Sequence, residues 1–207
     1  MNTRSILIRT TAGLAGGLLL LGTAGTAMAA ELEYGNDDVD VNVDIAPLPG
    51  GGALSMTVAG TSAELVESGS TAVIRQFTGT LPTVTVTDTR DPADIPATPG
   101  WYVVGTASDF TNAEGDVIGA ENLGWQPNVL DGGDTGLVAE GDRVDTAIDE
   151  GPNNVGLVDK ELLFLTNESA EVAPTGPFTA NADLFLRTEP TVEAGEYSST
   201  LTLSLFE

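Results

Sequence analysis

The chain has 207 residues, with 7 Lys or Arg against 31 Asp or Glu, a formal charge of −24, and neither Cys nor His. A disulfide framework, a thiolate nucleophile, an imidazole base and the usual zinc or haem ligand sets are therefore excluded, and Ser–His and Cys–His catalysis with them. So negative a charge also argues against the phosphate backbone of nucleic acid and against an anionic membrane surface, both of which attract Lys and Arg.

The first thirty residues form a distinct segment. Arg4 and Arg9 make a short positive stretch, Ala12 to Ala24 is apolar around Leu18, Leu19, Leu20 and Leu21, and Ala27-Met28-Ala29 supplies small residues at a cleavage site. This is the layout of a secretory signal peptide over residues 1–29. The apolar run is shorter than the roughly 20 residues of a membrane span. Cleavage predicts an exported product of residues 30–207, without a membrane segment. Five of the seven basic residues and all 31 acidic ones remain in it, a formal charge of −26. A chain of this size buries a substantial core, since a 150-residue domain hides about 70% of its unfolded surface.

Past the signal, the dominant pattern is alternation with period two. Val39, Val41, Val43 and Ile45 alternate with Asp38, Asp40, Asn42 and Asp44, which predicts a strand over 38–46. Leu54, Met56 and Val58 predict a second over 53–60, and further strands follow at 71–77 and 82–88, the latter with Val84 and Val86 among threonines. Strands at 100–110, 121–127 and 135–139 come next, punctuated by Asp131-Gly132-Gly133. The stretch 141–148 is ambiguous between a strand and a single helical turn. Strands at 156–166, 178–188 and 196–206 complete the set, the last marked by Leu201, Leu203 and Leu205. Helical periodicity is nearly absent. About nine or ten strands at this spacing predict one all-β domain, an antiparallel β-sandwich of immunoglobulin-like kind, with the carboxylates mainly in loops and on outward faces.

Three features offer chemistry. Trp101 and Trp125 are the only tryptophans, and an exposed indole stacks on the apolar face of a sugar ring, whereas a buried one is an ordinary sandwich core residue. Asp38, Asp40 and Asp44 share one strand face and carry oxygen ligands of the type that suits Ca²⁺. Their spacing is not that of an EF-hand loop, and a solvated acidic face that guards an edge strand is the plainer reading. Asn112-Ala113-Glu114-Gly115-Asp116 is a turn with the same weak cation character. A carboxylate pair of glycosidase type is a third reading, although aromatic residues are only 5% of the chain and no cleft signature accompanies the acids.

Three segments together resemble the WxL domain of Gram-positive surface proteins. They are Phe77 to Arg90 with its Thr83-Val84-Thr85-Val86-Thr87-Asp88-Thr89-Arg90 run, then Gly100-Trp101-Tyr102-Val103-Val104-Gly105 with Ser108-Asp109-Phe110, and finally Tyr197 to Leu205. The resemblance implies a WxL-like sandwich, secretion, and non-covalent attachment to the cell envelope, with peptidoglycan as the usual partner. The proximal Trp-x-Leu motif falls on Trp101, Tyr102 and Val103, with Val103 in the place of Leu. The distal one falls on Leu203-Ser204-Leu205, with Leu203 in the place of Trp. Tyr102 and Val103 thus join Trp101 and Trp125 as expected binding residues. The expected function is that of a secreted, non-catalytic, cofactor-free surface protein whose partner is cell-wall glycan or another surface protein. The rival is a structural or adhesive subunit joined through strand edges. A carboxylate hydrolase is the remote third.

Overall fold

The computed structural model describes residues 51–96 and 100–207, within the unit Ala46–Glu207. The expected signal peptide, the strand expected over 38–46 and the acidic set Asp38, Asp40 and Asp44 lie outside the described residues.

Twelve strands occur among the described residues, and all their pairings are antiparallel. They are β1 (Leu54–Val58), β2 (Val66–Glu67), β3 (Arg75–Thr80), β4 (Val84–Asp88), β5 (Trp101–Ala107), β6 (Phe110–Thr111), β7 (Val117–Ile118), β8 (Leu123–Asp131), β9 (Val138–Glu140), β10 (Glu161–Thr166), β11 (Phe178–Thr188) and β12 (Leu201–Phe206). One short α-helix, α1 (Ser169–Val172), runs into a 3-10 turn at Ala173–Thr175 between β10 and β11, and two further 3-10 turns lie at Pro92–Asp94 and Ala120–Asn122. The all-β, sandwich-like expectation holds, with more strands than periodicity alone finds.

The larger sheet is built on β11, the longest strand. One edge of β11 pairs with β8, from Leu186 opposite Leu123 to Thr179 opposite Asp131. The other edge pairs first with β4 and then with β3. Those two strands form nearly one line, broken at Leu81-Pro82-Thr83, where Pro82 has no N–H to donate. The ladder survives the break because Leu81 N–H donates to Ala182 O at 2.9 Å. β1 flanks β4 and β2 flanks β3 on the outside. The smaller sheet has the order β12-β5-β10-β9, and β6 with β7 makes a separate hairpin.

Alternation decides what lies between the sheets. Phe178, Ala180, Ala182, Leu184 and Leu186 of β11 and Val84 and Val86 of β4 are buried, as are Trp101 and Val103 of β5. The two tryptophans join the layers. The Trp101 ring on the smaller sheet lies 5.6 Å from Phe178 of the larger one and 5.2 Å, edge-on, from its own neighbour Phe164. Trp125 of β8 reaches across to Gly105 of β5, where a Cβ would stand only 2.7 Å from the indole. Gly105 is thus the seat of Trp125, and its missing side chain is what lets so large a ring fit.

The strand boundaries depart from expectation where side chains capture the backbone. The strand expected from 71 starts only at Arg75, because Thr71 closes a turn with Ile74 O at 2.8 Å and Oγ1 accepts from Ile74 N–H. The ambiguous stretch 141–148 is neither a strand nor a helical turn. Val144 makes one isolated bridge to Trp125, and Asp149 then accepts from both the N–H and the hydroxyl of Thr146. Residues 156–160 lie outside β10, although Leu157 is fully buried and its N–H donates to Leu123 O.

Candidate functional site

Period two splits the proximal motif between the faces of β5. Trp101 and Val103 are fully buried, and so is Trp125. The indole N–H of each tryptophan has no acceptor among the described residues. These three expected binding residues therefore belong to the core. A ring enclosed by Phe164 and Phe178 has no face left for a sugar, so the expectation of surface contact at Trp101, Val103 and Trp125 is corrected by their burial.

Tyr102 points the other way and is 42% exposed. The β5–β12 register sets it opposite Phe206, and the two rings stack with centroids 5.3 Å apart and planes 21° from parallel. Lys160 Nζ lies over the Phe206 ring at 4.5 Å. On the far side of Tyr102, β10 brings Leu165 into register. The result is a small aromatic platform with one ammonium at its margin, on the outer face of the smaller sheet. Apolar faces of sugar rings stack on such surfaces, and an ammonium adds a donor for hydroxyl or carboxylate oxygens.

A second feature, not anticipated from the sequence, closes one corner of the sandwich. Asp88 ends β4 with its side chain fully buried, contrary to the expectation that carboxylates lie outside. Arg90 donates to it through Nε at 2.9 Å, Nη2 at 2.7 Å and its own backbone N–H at 3.1 Å. The same guanidinium bridges to Glu207 at 2.7 Å, just past β12. Burial alone would push the Asp88 carboxyl up. The hydrogen bonds and charge of Arg90 outweigh it and hold the carboxyl below its usual range. The signal was present as Asp and Arg two apart at a strand end, yet nothing local said that Glu207 would arrive beside them.

On the outer face of the larger sheet, Phe185 lies between two guanidinium groups, Arg143 at 4.3 Å and Arg187 at 5.1 Å from its ring centre. Each is also ion-paired, Arg143 with Asp145 and Arg187 with Asp149. Two shallow grooves meet at Arg143, one along Val138–Asp142 and one along Gln76–Thr80 and Asp183–Arg187. With Arg75 bound to Glu67, every arginine among the described residues has a carboxylate partner. The scarce cations serve mainly to tie loops and strands together.

The Asn112–Asp116 loop is organised by Asn112. Its Oδ1 accepts from Glu114 N–H and Asp116 N–H, and its amide donates to Asp116 Oδ2 at 2.9 Å. That carboxylate is engaged in shaping the turn. Among the described residues no group of three or more Asp or Glu is placed to hold a metal ion, and no helix is long and apolar enough to cross a membrane.

The fold and this surface define an antiparallel, two-sheet all-β protein with an aromatic platform on one outer face. Comparison with protein-family models, with curated proteins and with solved structures found no match.

Proposed function

We propose that the chain is a secreted, non-catalytic surface protein of WxL-like type, held non-covalently to the Gram-positive cell envelope through cell-wall glycan. The carrying observation is the Tyr102–Phe206 stack with Lys160 beside it. It lies at the proximal motif, on the one motif residue that faces outward. The N-terminal segment supports export, and the residue types at 77–110 and 197–205 support the family resemblance. The departures of the motif at Val103 and Leu203 fall on inward positions. Wall contact on this reading is made by Tyr102 and its neighbours and does not require a second tryptophan.

The test is a pull-down on purified cell walls at physiological salt. Retention well above that of an unrelated β-sandwich of equal acidity is expected. Retention equal to that control overturns the proposal.

A further inference from the structure

The outer edge of β12 is a row of backbone groups without partners among the described residues. Ser108 N–H donates to Thr200 O at 3.0 Å, and the register pairs Thr202 with Thr106 and Ser204 with Val104. In an antiparallel ladder hydrogen-bonded pairs alternate. Thr200, Thr202, Ser204 and Phe206 therefore point their N–H and C=O groups at β5. Leu201, Leu203 and Leu205 point theirs away from the sheet. The same three leucines remain half-buried, so their stripe is incompletely covered.

Natural edge strands are usually blunted by charge, Pro, a bulge or brevity. The other margins show such devices. β2 has two residues and carries Glu67, β9 has three and carries Glu140, and β8 carries Pro127 and a register shift near Asp131. β1 is also uncharged, but it follows closely on residues outside the described set, so its outer edge is left aside. β12 has six residues, and the ten positions from Tyr197 to Phe206 hold no charge. In so acidic a chain, an uncharged stretch of this length is where two copies meet the least mutual repulsion.

We infer that β12 is a site of strand addition by a second copy of this chain, antiparallel about a two-fold axis through Leu203. Only registers that keep the leucines on the core side are allowed. With Leu203 on the axis, Leu201 faces Leu205 of the second copy and Thr202 faces its Ser204. Glu207 falls opposite Ser199, and its charge is already met by Arg90 of its own chain. No carboxylate opposes another along the shared ladder, and the interface is isologous, so the assembly closes at two. Pairing of this kind is independent of envelope binding.

The experiment is sedimentation of the purified full chain over a range of concentrations at about 0.15 M salt and above, where repulsion between the acidic bodies is screened. The weight-average mass is expected to rise from one chain to two with concentration, and more readily as salt increases. The variant T202K/S204K puts lysines opposite lysines in this register and is expected to weaken association by about tenfold. It also makes each chain less negative, so added long-range repulsion is not the cause of the loss. The variant T202K/S204E restores opposite charges across the axis and is expected to associate within about threefold of the parent. Both positions face outward, and an unchanged unfolding midpoint verifies the fold. A single-chain mass at every concentration overturns the inference and assigns the edge to another occupant. Equal association by T202K/S204K and the parent overturns it as well.

Discussion

The two faces of β5 present aromatic residues in opposite circumstances. On the inner face Trp101 is enclosed between Phe164 and Phe178, and Gly105 leaves room for Trp125. On the outer face Tyr102 stacks openly on Phe206 beneath Lys160. The contrast teaches how a tripeptide motif behaves on a strand. Residues at i and i+2 share a face, so a Trp-x-Leu pattern is first of all a core pattern. The middle residue carries whatever the surface does. The two faces also answer to different forces, packing density inside and exposed polarity outside, and substitutions on them separate stability from binding.

The largest effect is expected on the inner face. Trp101→Ala removes a fully buried indole from contact with both sheets and should cost about 3–5 kcal/mol, read from urea unfolding. A loss below about 1 kcal/mol would mean that the layers are not held together at this ring. The effect should be mainly on the midpoint, with retention on cell walls preserved below the transition, since no exposed atom changes.

A somewhat smaller effect is expected at the corner that joins the two sheets. Asp88→Asn leaves Arg90 with Glu207 as its remaining carboxylate partner and should cost about 3 kcal/mol at neutral pH, the low end for breaking a buried pair. The pH dependence follows from the sign of the shift. The Asp88 carboxyl is held below its usual range in the folded chain. Its stabilisation is therefore complete above the unfolded Asp value of about 3.9 and is lost as pH falls through the lower folded value. The parent should lose more stability than Asp88→Asn on acidification below about pH 4, and the two unfolding curves should converge there. Parallel curves down to low pH would show that this pair does not govern the acid limb.

Most of the sandwich was legible because period two is a direct print of one-sided burial. The strand expected over 178–188 coincides with β11, and those expected over 53–60, 82–88 and 100–110 contain β1, β4 and β5. Two-residue strands such as β2, β6 and β7 are too short to show a period, and they form because neighbours present a partner. The outer phase of Phe185 follows from its alternation with Leu184 and Leu186, but its burial was hidden for another reason. It is buried by Arg143 and Arg187 from outside the sheet, and cation–ring contacts leave no sequence pattern. The candidate site was legible only as a string. Tyr102 rather than Trp101 faces outward because Trp101, Val103 and Gly105 pack inward, a phase that the expectation of contact at Trp101, Tyr102 and Val103 alike did not separate. The partner ring Phe206 lies 104 positions away, and only the β5–β12 register brings it there.

The smallest effect on stability, and the sharpest on function, is expected at Tyr102. Tyr102→Ala removes one ring of an exposed stacked pair, worth about 0.5–1.5 kcal/mol. The fold should therefore persist with a slightly lower midpoint. If the outer face carries wall contact, retention on purified cell walls should fall several-fold, while Tyr102→Phe, which keeps the ring and loses the hydroxyl, should retain most of it. A small loss for Phe and a large one for Ala would assign binding to the ring face. Equal losses would shift the role to the hydroxyl. Unchanged retention in both variants, with walls still bound, would take the platform out of the interface and leave the contact to another surface. Because Trp101 and Tyr102 are adjacent, the pair of alanine variants forms a single experiment with opposite expectations: a large loss of stability with binding kept for one, and a small loss of stability with binding impaired for the other.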